Sequence, residues 1–269
     1  MIEEKYALGK AIYGDDFNID QIKAWYDEES EAYADLGSKE KDTYDYSYHK
    51  INRLHGFKYL PEKQFERGLA FGAAWGHEIL PIADRITELH IIEPSDHMRS
   101  EQIGNLKPVY SKPTVEGAIH YPDGHFDLVT CLGVIHHIPN VSFVISELCR
   151  VTKAGGYILL REPVISMGDW TVPRKGLTRN ERGIPLPIFR KILAEQNVEV
   201  VNEALCFCMS SFFQRFWSRF SSRPVYTLDT YLWFDKWMSR LTEGNLHYHA
   251  TSKLQRIAGQ SVYYVLKKK

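Results

Sequence analysis

The chain has 269 residues, 44% of them hydrophobic, and a net charge of −1. That is long enough for one substantial domain with insertions, and the near-neutral balance leaves no electrostatic footprint for DNA or RNA. The four cysteines, Cys131, Cys149, Cys206 and Cys208, lie inside apolar runs and not in paired C-x-x-C clusters, which argues against a metal site and for buried thiols in a reducing compartment.

The first ten residues, MIEEKYALGK, show no basic stretch followed by an apolar one, and no run approaches 18 apolar residues, so a cytoplasmic protein is expected. Residues 1–60 are polar, tyrosine-rich and helix-prone. Ala24, Trp25, Glu28, Glu29, Ala32 and Tyr33 recur at helical spacing and Gly37-Ser38 makes a break, as in a helical lid. From about 63 to 163 strand and helix patterns alternate, the mark of a parallel, doubly wound α/β sheet. Pro81 falls early in the first of those helices, where a missing N–H costs least. A long charged and glycine-bearing loop follows over 164–186, then a helix near 187–196, a strand over 198–207, an aromatic helical insertion over about 210–256, and a last strand over 261–267. The expected division is a lid of residues 1–60 and a main domain of 61–269.

The segment Phe65 to Met98 carries the strongest chemical signal. It reads as strand, small-residue turn, helix and strand, with Gly72, Ala73, Ala74 and Gly76 at the turn and Glu93 closing the second strand. Small residues let the backbone approach a ligand, and the free N–H groups of a helix start attract a carboxylate or phosphate. A carboxylate one strand over can accept hydrogen bonds from a ribose diol. Together they predict a nucleoside-containing cofactor. A dinucleotide is disfavoured, because Gly72-Ala73-Ala74-Trp75-Gly76 does not fit G-x-G-x-x-G.

At this point the sequence resembles the class I S-adenosylmethionine (SAM)-dependent methyltransferases. Five segments match in order: the turn 72–76, Glu93-Pro94-Ser95-Asp96-His97-Met98, Tyr121-Pro122-Asp123-Gly124-His125-Phe126-Asp127-Leu128-Val129, Cys131 to Ile138, and Leu148 to Leu160. Ala70 stands where the family usually has an acid, and Ala74 replaces a glycine. The resemblance implies a Rossmann-like seven-stranded sheet with SAM as cofactor. It implies that Gly72, Ala73, Ala74 and Gly76 contact the methionine part of SAM, that Glu93, with Pro94 beside it, holds the ribose, and that Met98 lies against adenine unless it is plain core. Glu116 and Gly117 fall near the adenine amine, where the third strand should end. Cys131, Leu132 and Gly133 would border the reacting methyl group.

Methyl transfer needs an in-line nucleophile and, for a hydroxyl, a base. His136 and His137 follow the fourth strand directly, and histidine titrates near neutrality. After the fifth strand, Arg161, Glu162, Arg174, Glu181 and Arg182 are candidate substrate contacts, arginine being suited to bidentate recognition of anions. The 164–186 loop resembles methyltransferases of surface-polysaccharide and other sugar-modifying pathways, which implies a small-molecule or sugar-containing acceptor. The stripes Phe212, Phe216, Phe220 and Tyr231, Phe234, Trp237, Met238 are expected to pack over the cleft or in a homodimer contact, without stable membrane insertion. The expected function is methyl transfer to a hydroxyl oxygen; nitrogen or carbon methylation, or SAM binding without transfer, are the alternatives.

Overall fold

The computed structural model describes residues 3–35, 45–174 and 176–269, with backbone alone for 30–35. The Gly37-Ser38 break lies outside the described residues. Three helices lead the chain: α1 (Glu4–Ala7), α2 (Ile19–Asp35) and α3 (His49–His55). Strands β1 (Phe65–Phe71), β2 (Ile86–Ile92), β3 (Val109–Ser111) and β4 (Phe126–Leu132) follow, then α4 (Val141–Val151), β5 (Thr152–Pro163) and α5 (Leu186–Ala194). The chain ends with β6 (Val198–Cys206), α6 (Ser210–Trp217), α7 (Asp229–Leu241) and β7 (Ser261–Lys268).

The seven strands form one sheet in the order β3-β2-β1-β4-β5-β7-β6. β3, β2, β1, β4 and β5 pair in parallel, while β7 runs antiparallel to both β5 and β6. The strand order reverses between β1 and β4, and ligands bind beyond the carboxyl ends of strands at such a switch.

Alternation along each strand divides two cores. On β7, Val262, Tyr264 and Leu266 join one cluster with α4 and α5, while Tyr263 and Val265 join the other with α3 and the residues after β1. That is the period of two that a sheet covered on both faces requires. α4 buries Val141, Val144, Ile145, Leu148 and Cys149, the i, i+3, i+4, i+7, i+8 stripe of a core-facing helix. Its N-terminal end is met from the segment before α2: Asp15 Oδ1 accepts from Ser142 N at 2.7 Å and Oδ2 from Ser142 Oγ at 2.6 Å, an acid at a helix N-terminus.

Two sequence expectations are corrected. The helix expected after the small-residue turn is a 3-10 stretch, His77–Arg85, with Pro81 inside it; a proline cannot donate the i→i−4 bond an α-helix needs there. β3 ends at Ser111, and Thr114 to Gly117 form a turn closed by Gly117 N→Thr114 O at 3.0 Å. On α2 the buried face is Ile22, Trp25 and Glu29, whereas Ala24 and Glu28 are exposed.

Candidate functional site

Two cavities open at the switch point and share Gly72 and Gly133 as wall residues. The first, of about 320 Å³, is floored by the loops after β1, β2, β3 and β4 and roofed by Trp25, Tyr26 and Glu29 of α2. The second, of about 430 Å³, is walled by Ala73, Ala74, Glu78, Leu132, Arg161 and Glu162, with Tyr48, Phe207 and Tyr226 from elements remote in sequence.

The turn after β1 is held from several sides. Gly72 adopts φ 68° and Gly76 φ 72°, a region that glycine enters without steric cost. Ala74 sits at φ 48°, so alanine bears mild strain where the resembled family carries glycine. Glu93 ties the loops together: Oε2 accepts from Ala74 N at 2.9 Å and Oε1 from Ser95 N at 3.1 Å. Burial raises its pKa, and those backbone bonds oppose the rise. Each oxygen keeps a lone pair for a further donor, and Glu93 lines the first cavity.

Beyond β4, the Glu162 carboxylate is fully buried and accepts from Val134 N at 2.9 Å and Ile135 N at 3.0 Å. It also holds His136 Nδ1 at 2.7 Å, while His136 Nε2 lies 3.5 Å from Glu181 Oε1. Burial would lower the His136 pKa, but hydrogen bonds to the two carboxylates outweigh it and raise it to about 9. An imidazole held as a cation at neutral pH cannot take up a proton, so His136 does not suit the role of base. His137 shifts the other way, lowered by burial and by His136 despite Glu29 at 3.1 Å. His136, His137 and Glu181 bring ligand-type atoms within 4.8 Å of one another, a spacing that could admit a metal ion only by displacing the proton between His136 and Glu181.

The structure sorts the remaining candidates. Gly72, Glu93, Pro94, Gly117, Gly133 and His137 line the first cavity; Ala73, Ala74, Leu132, His136, Arg161, Glu162 and Glu181 line the second. Met98 is buried but lines neither cavity, and its neighbour His97 faces the first instead. Gly76 is likewise absent from both walls; a Cβ there would run into Ile103 and Ile91, so packing explains the glycine. Glu116 is exposed and offers only its carbonyl, to Asn140 Nδ2 at 2.7 Å. Cys131 is fully buried in the core, since alternation along β4 turns it away from the site.

Two arginines prove to be internal staples. Arg174 donates to the carbonyls of Met167, Thr178, Arg179 and Glu181 at 2.6–3.2 Å. Arg182, with no exposed surface, donates to the carbonyls of Tyr13, His136, Ile138 and Pro139 at 2.9–3.1 Å and stacks 5.1 Å from Trp25. Arg161 stays in the cavity wall, bonded to Asn52 Oδ1 and Leu132 O and lying over Tyr48 at 4.2 Å.

Sequence reasoning missed Glu78. It is buried in the wall of the second cavity, accepts from Thr130 Oγ1 at 2.7 Å, and has its pKa raised by burial to about 7. The available signal was an acid set among His77, Ile79, Leu80 and Ile82. The aromatic wall, in which Tyr48 and Tyr226 stack at 4.9 Å, was signalled only by the tyrosine-rich run before α3.

Residues 69–160 match the family model described as a methyltransferase domain. This is a methyltransferase fold. The Ubiquinone biosynthesis O-methyltransferase of Dechloromonas aromatica is 35% identical over 75 residues, covering 28% of this chain and 28% of that protein. The aligned stretch is thus well under two thirds of that relative. Among solved structures, the [4+2]-cyclase SpnF shares the methyltransferase fold over 96% of this chain and 98% of its own, at 14% identity and TM-score 0.55. Haemonchus contortus phosphoethanolamine N-methyltransferase 2, in complex with S-adenosyl-L-methionine, covers 81% of this chain and 52% of its own at 17% identity and TM-score 0.51.

Proposed function

We propose that this chain transfers the methyl group of SAM to a hydroxyl oxygen of a small molecule. The observation that carries the reading is the common wall of Gly72 and Gly133 between two cavities. A donor with its adenosyl part in the first cavity and an acceptor in the second would meet across two residues without side chains, where a short in-line approach is sterically open. Glu93, beside the first cavity, has the free lone pairs a ribose diol needs. The methyltransferase-domain match supports methyl transfer, and the name of the Dechloromonas relative supports oxygen as the atom methylated.

The proton of the acceptor would pass to Glu78, a carboxyl in the second cavity whose pKa of about 7 suits a base near neutrality. His136 lies between the Glu162 and Glu181 carboxylates and offsets part of their charge. A sugar-containing acceptor remains the finer form of this proposal. A second reading, SAM binding without transfer, rests on Ala70, a core residue where an acid is usual.

Calorimetry with SAM and with its demethylated product, S-adenosylhomocysteine, followed by a radiolabelled-methyl assay over phenolic, sugar and amine acceptors, tests the reading. Binding of both with label transferred to a hydroxyl is the expected result. Binding without turnover on any acceptor would favour the second reading, and no binding of SAM would overturn both.

A further inference from the structure

Six large apolar side chains stand in solvent on α6, the turn after it and α7. Phe212, Phe216 and Phe220 are 64%, 58% and 69% exposed, and Trp233, Trp237 and Leu241 are 69%, 51% and 74% exposed. Each trio recurs at i, i+4 and i+8, the first along α6 and the turn after it, the second along α7. Phe213 joins the two helices through Phe234 at 5.0 Å and Tyr231 at 5.9 Å, so the exposed trios are left over after the helices have packed. None of Phe212, Phe216 and Phe220 lines either cavity, so the expectation that they pack over the cleft is not met. Single exposed apolar residues are ordinary, but stripes of this kind mark an interaction site.

On α6, α7 and the segment between them the charges left unpaired among the described residues have one sign. Arg215, Arg219, Arg223, Lys236 and Arg240 are all exposed, and among the described residues none of them forms an ion pair. The nearby acids are spent elsewhere: Asp229 pairs with Lys50, and buried Asp235 accepts from Phe207 N, Cys208 N and Ser239 Oγ. A chain of net charge −1 thus gathers unpaired cations beside its most exposed apolar surface.

We propose that the α6–α7 face docks on the surface of an anionic lipid bilayer, with the apolar stripes at the headgroup boundary and the cations against lipid phosphates. Aromatic and aliphatic residues on one face, with lysine and arginine beside them, are the composition of helices that lie in that boundary. No helix among the described residues is long and apolar enough to cross a membrane, so the contact is peripheral. A second copy of the chain is a poorer occupant, because a two-fold contact would set the same five cations against themselves. The docking has a consequence for the site: Phe207, Ser210 and Tyr226 of this insertion wall the second cavity, so the docked face adjoins the compartment assigned above to the acceptor.

The test is co-sedimentation of the full chain, without SAM, with vesicles of phosphatidylcholine and phosphatidylglycerol at three to one, and with phosphatidylcholine alone. Binding to the anionic vesicles, a blue shift of tryptophan emission, and loss of binding in high salt are expected. The triple variant R215E/R219E/R223E should bind on the order of 100-fold more weakly, from about 1 kcal/mol per cation near the surface, and F212S/F216S/F220S at least about 10-fold more weakly. Circular dichroism and SAM calorimetry on both variants show whether the fold and the cofactor cavity are intact, independently of docking. Failure to sediment with anionic vesicles, or equal binding by the folded variants, would overturn the proposal. So would a dimer in sedimentation velocity that the phenylalanine variant abolishes while vesicle binding is absent.

Discussion

Replacing Glu93 by glutamine separates its two jobs. In the native chain the two carboxylate oxygens accept from Ala74 N and Ser95 N. A side-chain amide offers one oxygen and one NH2 group, so one of those backbone donors must face another donor. An unpaired buried N–H costs about 1–3 kcal/mol, which for a chain of this size lowers Tm by roughly 2–10 °C. Independently, a ribose diol would lose its charge-assisted bonds, about 1.5–3 kcal/mol, or roughly 10- to 150-fold in the Kd for SAM. Thermal melts of the free protein read the first effect and calorimetry at a temperature well below Tm reads the second. A variant that melts lower yet binds SAM with native affinity would show that Glu93 only ties the loops, and the ribose assignment would fall.

Four further outcomes follow from the geometry. The raised pKa of Glu78 means that the folded state holds its proton more tightly than the unfolded chain, so stability is lost as pH rises from 4.5 through about 7; the full cost is about 3 kcal/mol above that range, and Glu78→Gln should flatten this part of the denaturation profile between pH 4.5 and 8. Arg182→Met removes the donor shared by four carbonyls and should destabilise by at least about 3 kcal/mol in urea unfolding. Gly72→Ala meets both a positive φ and the branched side chain of Val134, whereas Gly155→Ala meets only a positive φ with nothing near, so the first should cost about 1–2 kcal/mol more and also weaken SAM binding in calorimetry. Trp25→Ala loses the indole roof of the first cavity and the Nε1–H bond to His137 O at 2.7 Å, and stopped-flow fluorescence should show SAM leaving about 10-fold faster or more.

The sheet was legible because its determinants are local. β6 and β7 follow the sequence expectation to within a residue, and in β7 the apolar run Val262 to Leu266 is bounded by Ser261 and Lys267, which leaves little freedom in where the strand stops. The same locality failed at the stretch after β1. Gly72 to Leu80 reads as a helix start, yet Pro81 and the glycine at φ 72° hold it in 3-10 turns. β3 was expected to run too far: only three residues pair there, and Pro113, which has no N–H to give a ladder, marks the end two residues past Ser111.

The site was legible where a backbone conformation or a strand end dictates the residue, and illegible where a partner decides its role. Gly72 and Glu93 follow from the first rule. Arg174 and Arg182 are visible as charges, but the carbonyls that absorb them carry no signature in a sequence. His136 is the sharpest case. Its residue type places it near neutrality, and only the meeting of Glu162 from the end of β5 with Glu181 from the loop beyond fixes its proton. The same loop returns to α2: Asn180 N donates to Glu29 Oε1 at 3.1 Å, and Glu29 Oε2 lies 3.1 Å from His137 Nδ1. Helix α2, the histidine pair and the post-β5 loop are therefore one hydrogen-bonded unit. Its protonation state belongs to the assembled unit and to no single segment of the chain.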